Sequence, residues 1–292
     1  MPSATTACYQ PSGKAPLTGV LLVLGGGIAA AVPLSIVYIL AVRYIPFVYL
    51  NLLAVVGFGF GFGAIVAKLV RLGKLRSPLI GGGLGLVAGL LAAWLQWVFF
   101  AAFIAHNADE IPLVPAYFGF LINPRALGAF ARIAAEHGTW SLKDGDPVTG
   151  VVLVIIWTVE ALVIIGPAAL FAGGQAAKPL SELLQRWAVG VRLPGRLPFF
   201  ADPAGVRTRL EGGDLMPLVT NERPAGTRYA RLDLCRADGD PACSYLSVEN
   251  VTETVDKRGR RQSATTAVVT HLRVPAELAR QLQELHSTAL PS

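Results

Sequence analysis

The sequence predicts an α-helical membrane protein: a four-transmembrane-helix bundle followed by a small cytoplasmic α+β C-terminal domain, a three-stranded antiparallel meander plus a helix. Three observations carry this. Only 15% of the 292 residues are charged and 53% are hydrophobic, whereas a soluble domain carries about 25% charged residues. No Asp, Glu, Lys or Arg lies between Lys14 and Arg43, between Arg43 and Lys68, or between Arg76 and Asp109; between Asp146 and Lys178 there is only Glu160. Each stretch meets the roughly 20 residues that a helix needs to cross a bilayer. The last hundred residues return to ordinary composition, which suits a small domain.

The chain opens with a short tail, 1–16, predicted to be cytoplasmic. Three spans fill 17–105, at about 17–42, 46–68 and 79–105. The first stretch is too long for a signal-peptide core of roughly 7–15 residues and reads as a retained span. Arg43-Tyr44-Ile45-Pro46 is a connection short enough to force spans one and two into a hairpin. Span four is 148–173.

Charge sets the orientation. The link between spans two and three holds Lys68, Arg71, Lys74 and Arg76 without an acid. The loop 106–147 holds Arg125, Arg132 and Lys143 against Asp109, Glu110, Glu136, Asp144 and Asp146. Basic short loops stay in the cytoplasm, so both termini are expected there and loop 106–147 outside, in a bacterial inner membrane. The net charge of +6 is read as this bias and not as a nucleic-acid footprint. In the outer loop, Asn123-Pro124 before a run ending at Gly138 predicts a capped helix, with Leu127, Phe130, Ile133 and Ala134 on one face. Ile111–Leu121 reads as an apolar segment at the outer interface.

On the cytoplasmic side, Leu180, Leu183, Leu184, Trp187 and Val191 form one stripe, which predicts a juxtamembrane amphipathic helix within 174–194. The α+β domain, 195–292, starts with loop and turn over 194–224. Alternation then predicts strands at Ala230–Leu234, at Leu246–Val255 with a bulge near Asn250, and at Val268–Val274. Asp238-Gly239 and Lys257–Arg261 supply the turns. A closing helix carries Leu278, Leu282 and Leu285.

Glu160 is the sharpest candidate for chemistry, because a carboxylate at the centre of a span costs about 2.5 kcal/mol or more. Counted from the outer ends at about 1.5 Å per residue, Glu160 lies ~18 Å deep, Gln96 ~14 Å, Ser35 ~11 Å and Asn51 ~8 Å. With Thr158 near Gln96, these five residues form an expected intramembrane polar cluster. One reading is a titrating proton or cation site; the other is a carboxyl hydrogen-bonded to Gln96 or a tyrosine, fixing helix register.

Small residues supply the expected packing. Lipid gives no hydrophobic drive for helix association, so close backbone contact must supply much of it. On span two, Gly57 and Gly61 form one groove and Gly59 and Gly63 another on nearly the opposite side, which predicts packing on both. Gly81, Gly85 and Gly89 form a ridge on span three.

Cys235 and Cys243 are equidistant from Gly239, so a hairpin centred there would set them face to face. In a reducing compartment they stay thiols. Zinc would need further ligands, and His271 is the nearest candidate, so no metal site is expected. Lys257, Arg258, Arg260 and Arg261 read as a solvated hairpin tip. Asn250-Val251-Thr252 matches a glycosylation sequon on a side where none is expected. There is no HExxH, GxSxG or phosphate loop; His106, His137, His271 and His286 are scattered, and no cofactor is expected.

The stretch Tyr44-Ile45-Pro46-Phe47, the glycine-rich second span, Arg71-Leu72-Gly73-Lys74 and the Trp157–Glu160 pair resemble a group of uncharacterised bacterial four-span membrane proteins, over residues 9–173. The tails of that group often carry a Pro-Phe-Cys-x-x-Cys element similar to a zinc ribbon. Here Pro198-Phe199 is followed by Phe200 and Pro203 where the cysteines would stand. The resemblance implies a four-span fold and no activity.

From this the first functional expectation is a structural or interaction component whose tail binds a cytoplasmic partner or self-associates, in a homo- or hetero-oligomer in the lipid bilayer. The alternative is a small transporter or channel subunit working through Glu160. A membrane-linked enzyme acting on lipid is a third, for which no residue argues.

Overall fold

The computed structural model describes residues 8–45, 48–109, 111–139, 146–219, 224, 226–256 and 259–287. Pro46 of the first connection, Lys143 and Asp144 of the loop, and Lys257 and Arg258 of the basic turn lie outside them. The chain divides into two compact units: residues 12–177, and the residues from Lys178 on together with residues 8–11.

The first unit holds four long apolar helices, α1 (Leu17–Tyr44), α2 (Val48–Leu72), α3 (Pro78–Asp109) and, after two short ones, α6 (Gly150–Ala176). All four are long and apolar enough to cross a membrane, and the protein is a multi-pass membrane protein. Their lipid-side residues are large and apolar; Leu53, Leu79, Leu162 and Leu170 are each more than half exposed. In cross-section the helices run α1, α2, α6, α3 around a ring, so α1 and α6 occupy opposite corners. At one end of the bundle the segment before α1 is stitched to the α2–α3 link. Gly13 N–H donates to the Arg76 carbonyl at 3.0 Å, and Arg76 N–H donates to the Lys14 carbonyl at 2.8 Å.

At the other end the loop folds into α4 (Leu113–Ile122) and α5 (Pro124–His137). As expected, Asn123 caps α5: its Oδ1 accepts from Ala126 N–H at 3.1 Å, and Gly138 closes the helix at φ +80°. Leu127 and Ala134 are buried, whereas Ile133 is exposed. Leu127 and Phe130 join a cluster with Val98, Ala101 and Trp97 of α3, so the loop packs on the bundle.

In the second unit the expected amphipathic helix within 174–194 is not formed. Leu180–Ser181 (β1) pairs with Arg186–Trp187 (β2) as a small hairpin, and Val189–Leu197 (β3) begins the main sheet. The helical stripe misleads because Leu183 is exposed, while Gln185 takes φ +52° to close the turn. Buried Ser181 holds the hairpin down: its hydroxyl donates to Asp240 Oδ2 at 2.6 Å and accepts from Leu184 N–H at 3.0 Å.

The sheet has four antiparallel strands and not three, in the order β3, β4 (Arg228–Arg236), β5 (Ser244–Val255), β6 (Arg261–Arg273). Leucines and valines of its inner face, Leu193, Leu197, Leu232, Leu234, Leu246 and Val248, form the core. Helices α7 (Pro203–Glu211) and α8 (Ala276–Ser287) pack on β6 and on β3 and β5; Leu285 of α8 falls among side chains outside the described ones. The other face is a grid of ion pairs, Arg192–Asp233, Arg231–Glu249 and Arg196–Glu253. Such half-exposed pairs add little stability; they set register and solubility. The expected bulge near Asn250 is displaced. The register shifts opposite Leu246, Val248 and Glu249 place the extra residues in β6, where His271 takes φ +51°. Asn250 is buried, with its side-chain amide donating to the Phe200 carbonyl at 2.8 Å and accepting from Phe200 N–H at 3.1 Å, so the sequon asparagine is occupied.

Candidate functional site

Glu160 is half-buried on α6, and its carboxyl accepts a hydrogen bond from the Tyr38 hydroxyl of α1. This bond crosses the ring between the two helices that share almost no backbone contact. Tyr38 is 5% exposed, and its ring stacks on Phe58 of α2 with centroids 5.5 Å apart and planes at 24°. The aromatic stack fixes the phenol, and the phenol fixes the carboxyl.

Close contacts between helices set the level of the other residues. Gly27 of α1 faces Ala88 of α3, and the two helices run parallel, so Ser35 and Gln96, each eight residues further on, share a level. Gly89 faces Ile165 of the antiparallel α6. Gln96 lies seven residues beyond Gly89 and Glu160 five before Ile165, an offset of two residues or about 3 Å. Ser35, Gln96 and Glu160 therefore occupy one layer, with Tyr38 one turn from Ser35 on the same face of α1. Ser35 is 2% exposed and Gln96 7%. The Ser35 Oγ has no hydrogen-bond partner in the structure.

Two of the expected members stand apart. Asn51 lies seven residues, about 10 Å, from Phe58 toward the start of α2; its buried Oδ1 also has no partner. Thr158 is exposed to the lipid side, and its hydroxyl donates to the Val154 carbonyl at 2.8 Å. It stands two positions before Glu160, which turns it by about 200° to the far side of the helix. Tyr38 is the residue the depth count left unnamed, and its position three after Ser35 is the signal that could have found it.

The glycines divide by face. A Cβ on Gly59 would collide with the Val163 carbonyl oxygen, and one on Gly63 would come within 2.8 Å of the Pro167 carbonyl carbon. Gly81, Gly85 and Gly89 meet Ala176, Ala168 and Ile165 in the same way. So α2 and α3 both seat their glycines on α6. Gly57 and Gly61, in contrast, are exposed with nothing within 4 Å of an added Cβ. Span two thus uses one glycine groove and not both, because its contact with α1 runs through side chains such as Leu69 and Phe58.

Among the described residues no group of three or more His, Cys, Asp and Glu is placed to hold a metal ion. His271 lies edge-on to Tyr9 with centroids 6.3 Å apart, and burial holds its imidazole below the usual range. All three cysteines are free. Cys235 pairs with Tyr245 across the β4–β5 hairpin, and Ala237 N–H bonds the Cys243 carbonyl. The hairpin is thus centred on Asp240, one residue beyond Gly239, and the two thiols sit diagonally instead of face to face. Burial, then the Asp240 carboxylate, push the Cys243 thiol up to about 11. Alkylation of Cys243 by iodoacetamide at pH 8 should run roughly a thousandfold slower than for a thiolate, since the ionised fraction is ~0.1%. Mass spectrometry of the labelled peptide reads this; rapid modification of the folded chain would contradict the buried site.

Compared with protein-family models, curated proteins and solved structures, the chain matches none. The site's chemistry therefore rests on its own residues: one carboxyl, one phenol, and two unsatisfied polar oxygens in a helical bundle closed by small-residue contacts.

Proposed function

We propose that this chain is a membrane-anchored interaction component of a bacterial inner membrane, which holds its α+β unit at the cytoplasmic face to bind a partner or a second copy. The observation that supports this most is the Tyr38–Glu160 hydrogen bond. It ties opposite corners of the bundle, as expected of a carboxyl that locks helix register. The seated glycines of α2 and α3 give the same rigid anchor.

The orientation follows from the basic α2–α3 link. In a cysteine-free background, Arg125→Cys should react with an impermeant maleimide on intact cells, and Arg261→Cys only after lysis. The reverse pattern overturns the cytoplasmic placement. The interaction reading itself predicts that the full chain, cross-linked in its native membrane, runs as a complex. A species of monomer mass alone, at high cross-linker concentration, would end it.

A second reading is favoured by the unpartnered Ser35 Oγ and Asn51 Oδ1: a proton or cation path that Glu160 serves. It requires that Glu160→Gln, in a chain that still folds, abolish proton or cation flux into liposomes. Equal flux in the variant and the parent rejects it.

A further inference from the structure

Along residues 261–267, β6 is exposed at every position, and among the described residues no backbone group pairs with its outer side. Sheet edges are normally defended by charge, proline, bulges or a covering element. The opposite edge is defended in this way: β3 carries Arg192, Arg196 and Pro194, with a register break between Arg192 and Arg196. From Gln262 to Leu272, β6 has neither charge nor proline. Near its end the same edge already accepts backbone pairing, since Cys8 forms an isolated antiparallel bridge with Leu272 and Tyr9 N–H donates to the His271 carbonyl at 2.8 Å.

The hydrogen-bond phase shows which groups face outward. Asp256 N–H donates to the Arg260 carbonyl, and Val255 stands opposite Arg261. Even-numbered residues of β6 therefore bond β5 and odd-numbered ones turn away. Glu253 N–H, bonding the Thr227 carbonyl on the β4 side, fits that phase. The free groups thus belong to Arg261, Ser263, Thr265 and Ala267.

We propose that this open edge is a homodimer interface, pairing antiparallel with β6 of a second copy about a two-fold axis at Ala264. The proposal rests on, and deepens, the reading of the chain as an interaction component. With the axis at Ala264, Ser263 pairs with Thr265 of the second copy and Arg261 with Ala267, so all four outward residues give their N–H and receive on their C=O. Moving the axis to Thr265 would set Arg261 against Val269, at the bulge. A self-complementary edge forms a closed isologous contact, and tethering in one bilayer raises the effective concentration of the second copy. The two-fold also joins the ion-pair faces of the two sheets into one surface.

The test uses the full chain with Cys8, Cys235 and Cys243 replaced by serine, in native membranes. Ala264→Cys places two thiols at a non-hydrogen-bonded pair, within disulfide reach. Oxidation should give a dimer band, while Thr266→Cys and Arg192→Cys stay monomeric. Thr265→Pro removes an outward N–H that β5 does not use, so the fold should survive while the purified dimer weakens roughly tenfold or more. Ala264→Lys, facing its own copy, should do the same by repulsion, and both are read by mass photometry in detergent. No dimer band from Ala264→Cys overturns the proposal. A wild-type dimer that withstands both substitutions also overturns it, while leaving self-association through another face, and with it the parent reading, intact.

Discussion

Gly59→Leu should unfold the bundle at much lower temperature than the parent, with a loss of about 3 kcal/mol or more. The side chain has nowhere to go. Its Cβ falls on the Val163 carbonyl oxygen, a backbone atom that cannot rotate aside, so α2 and α6 must part along the whole Gly59–Gly63 groove. Gly85→Leu should act alike through the Ala168 carbonyl. Gly57→Leu and Gly61→Leu are the internal controls: both positions are open to the lipid side, and each should stay within about 0.5 kcal/mol of the parent. The measurement is thermal unfolding of the purified chain in detergent. Equal damage from Gly57→Leu and Gly59→Leu would mean that the Gly57–Gly61 face is packed as closely as the Gly59–Gly63 face.

The second large effect concerns the bond across the ring. Tyr38→Phe keeps the stack on Phe58 but removes the donor, and should cost about 1–2 kcal/mol, the upper range for hydrogen bonds between membrane helices. Glu160→Leu removes the acceptor and orphans the buried phenol. If the pair acts as a unit, the double variant Tyr38→Phe/Glu160→Leu should be milder than the sum of the two singles, because neither polar group is left alone. Strict additivity would show that the two groups do not depend on each other, and would remove the main support for the register-lock reading.

Much of this architecture was legible in the residues. Four charge-poor stretches, each as long as a bilayer is thick, leave a helix as the only way to satisfy the backbone. The Asn123-Pro124 start and Gly138 stop of α5 are local signals that depend on nothing distant. Strands β4 to β6 show alternation because one face is wet. The failures share a cause in contacts remote in sequence. Residues 180–191 satisfy a helical stripe, but pairing of β3 with β4 wins, and Gly190, Pro194 and Gly195 had disguised that strand. The depth count brought Ser35, Gln96 and Glu160 to one layer, yet it carries no azimuth, so it could not see that Thr158 points outward. It also could not choose Tyr38 over Gln96 as the partner of Glu160, since that depends on which helices stand at opposite corners.

The seam between Cys8–Tyr9 and the end of β6 bears on how the polypeptide is made. Those two residues leave the ribosome ahead of all four long apolar helices, and their docking strand emerges only after every one of those helices has been handed to the insertion machinery. Cys8 and Tyr9 must wait until β6 has been made before they find their place. A fragment that starts after the last span would lack this strap, and should be judged as a wounded globule and not as the native one.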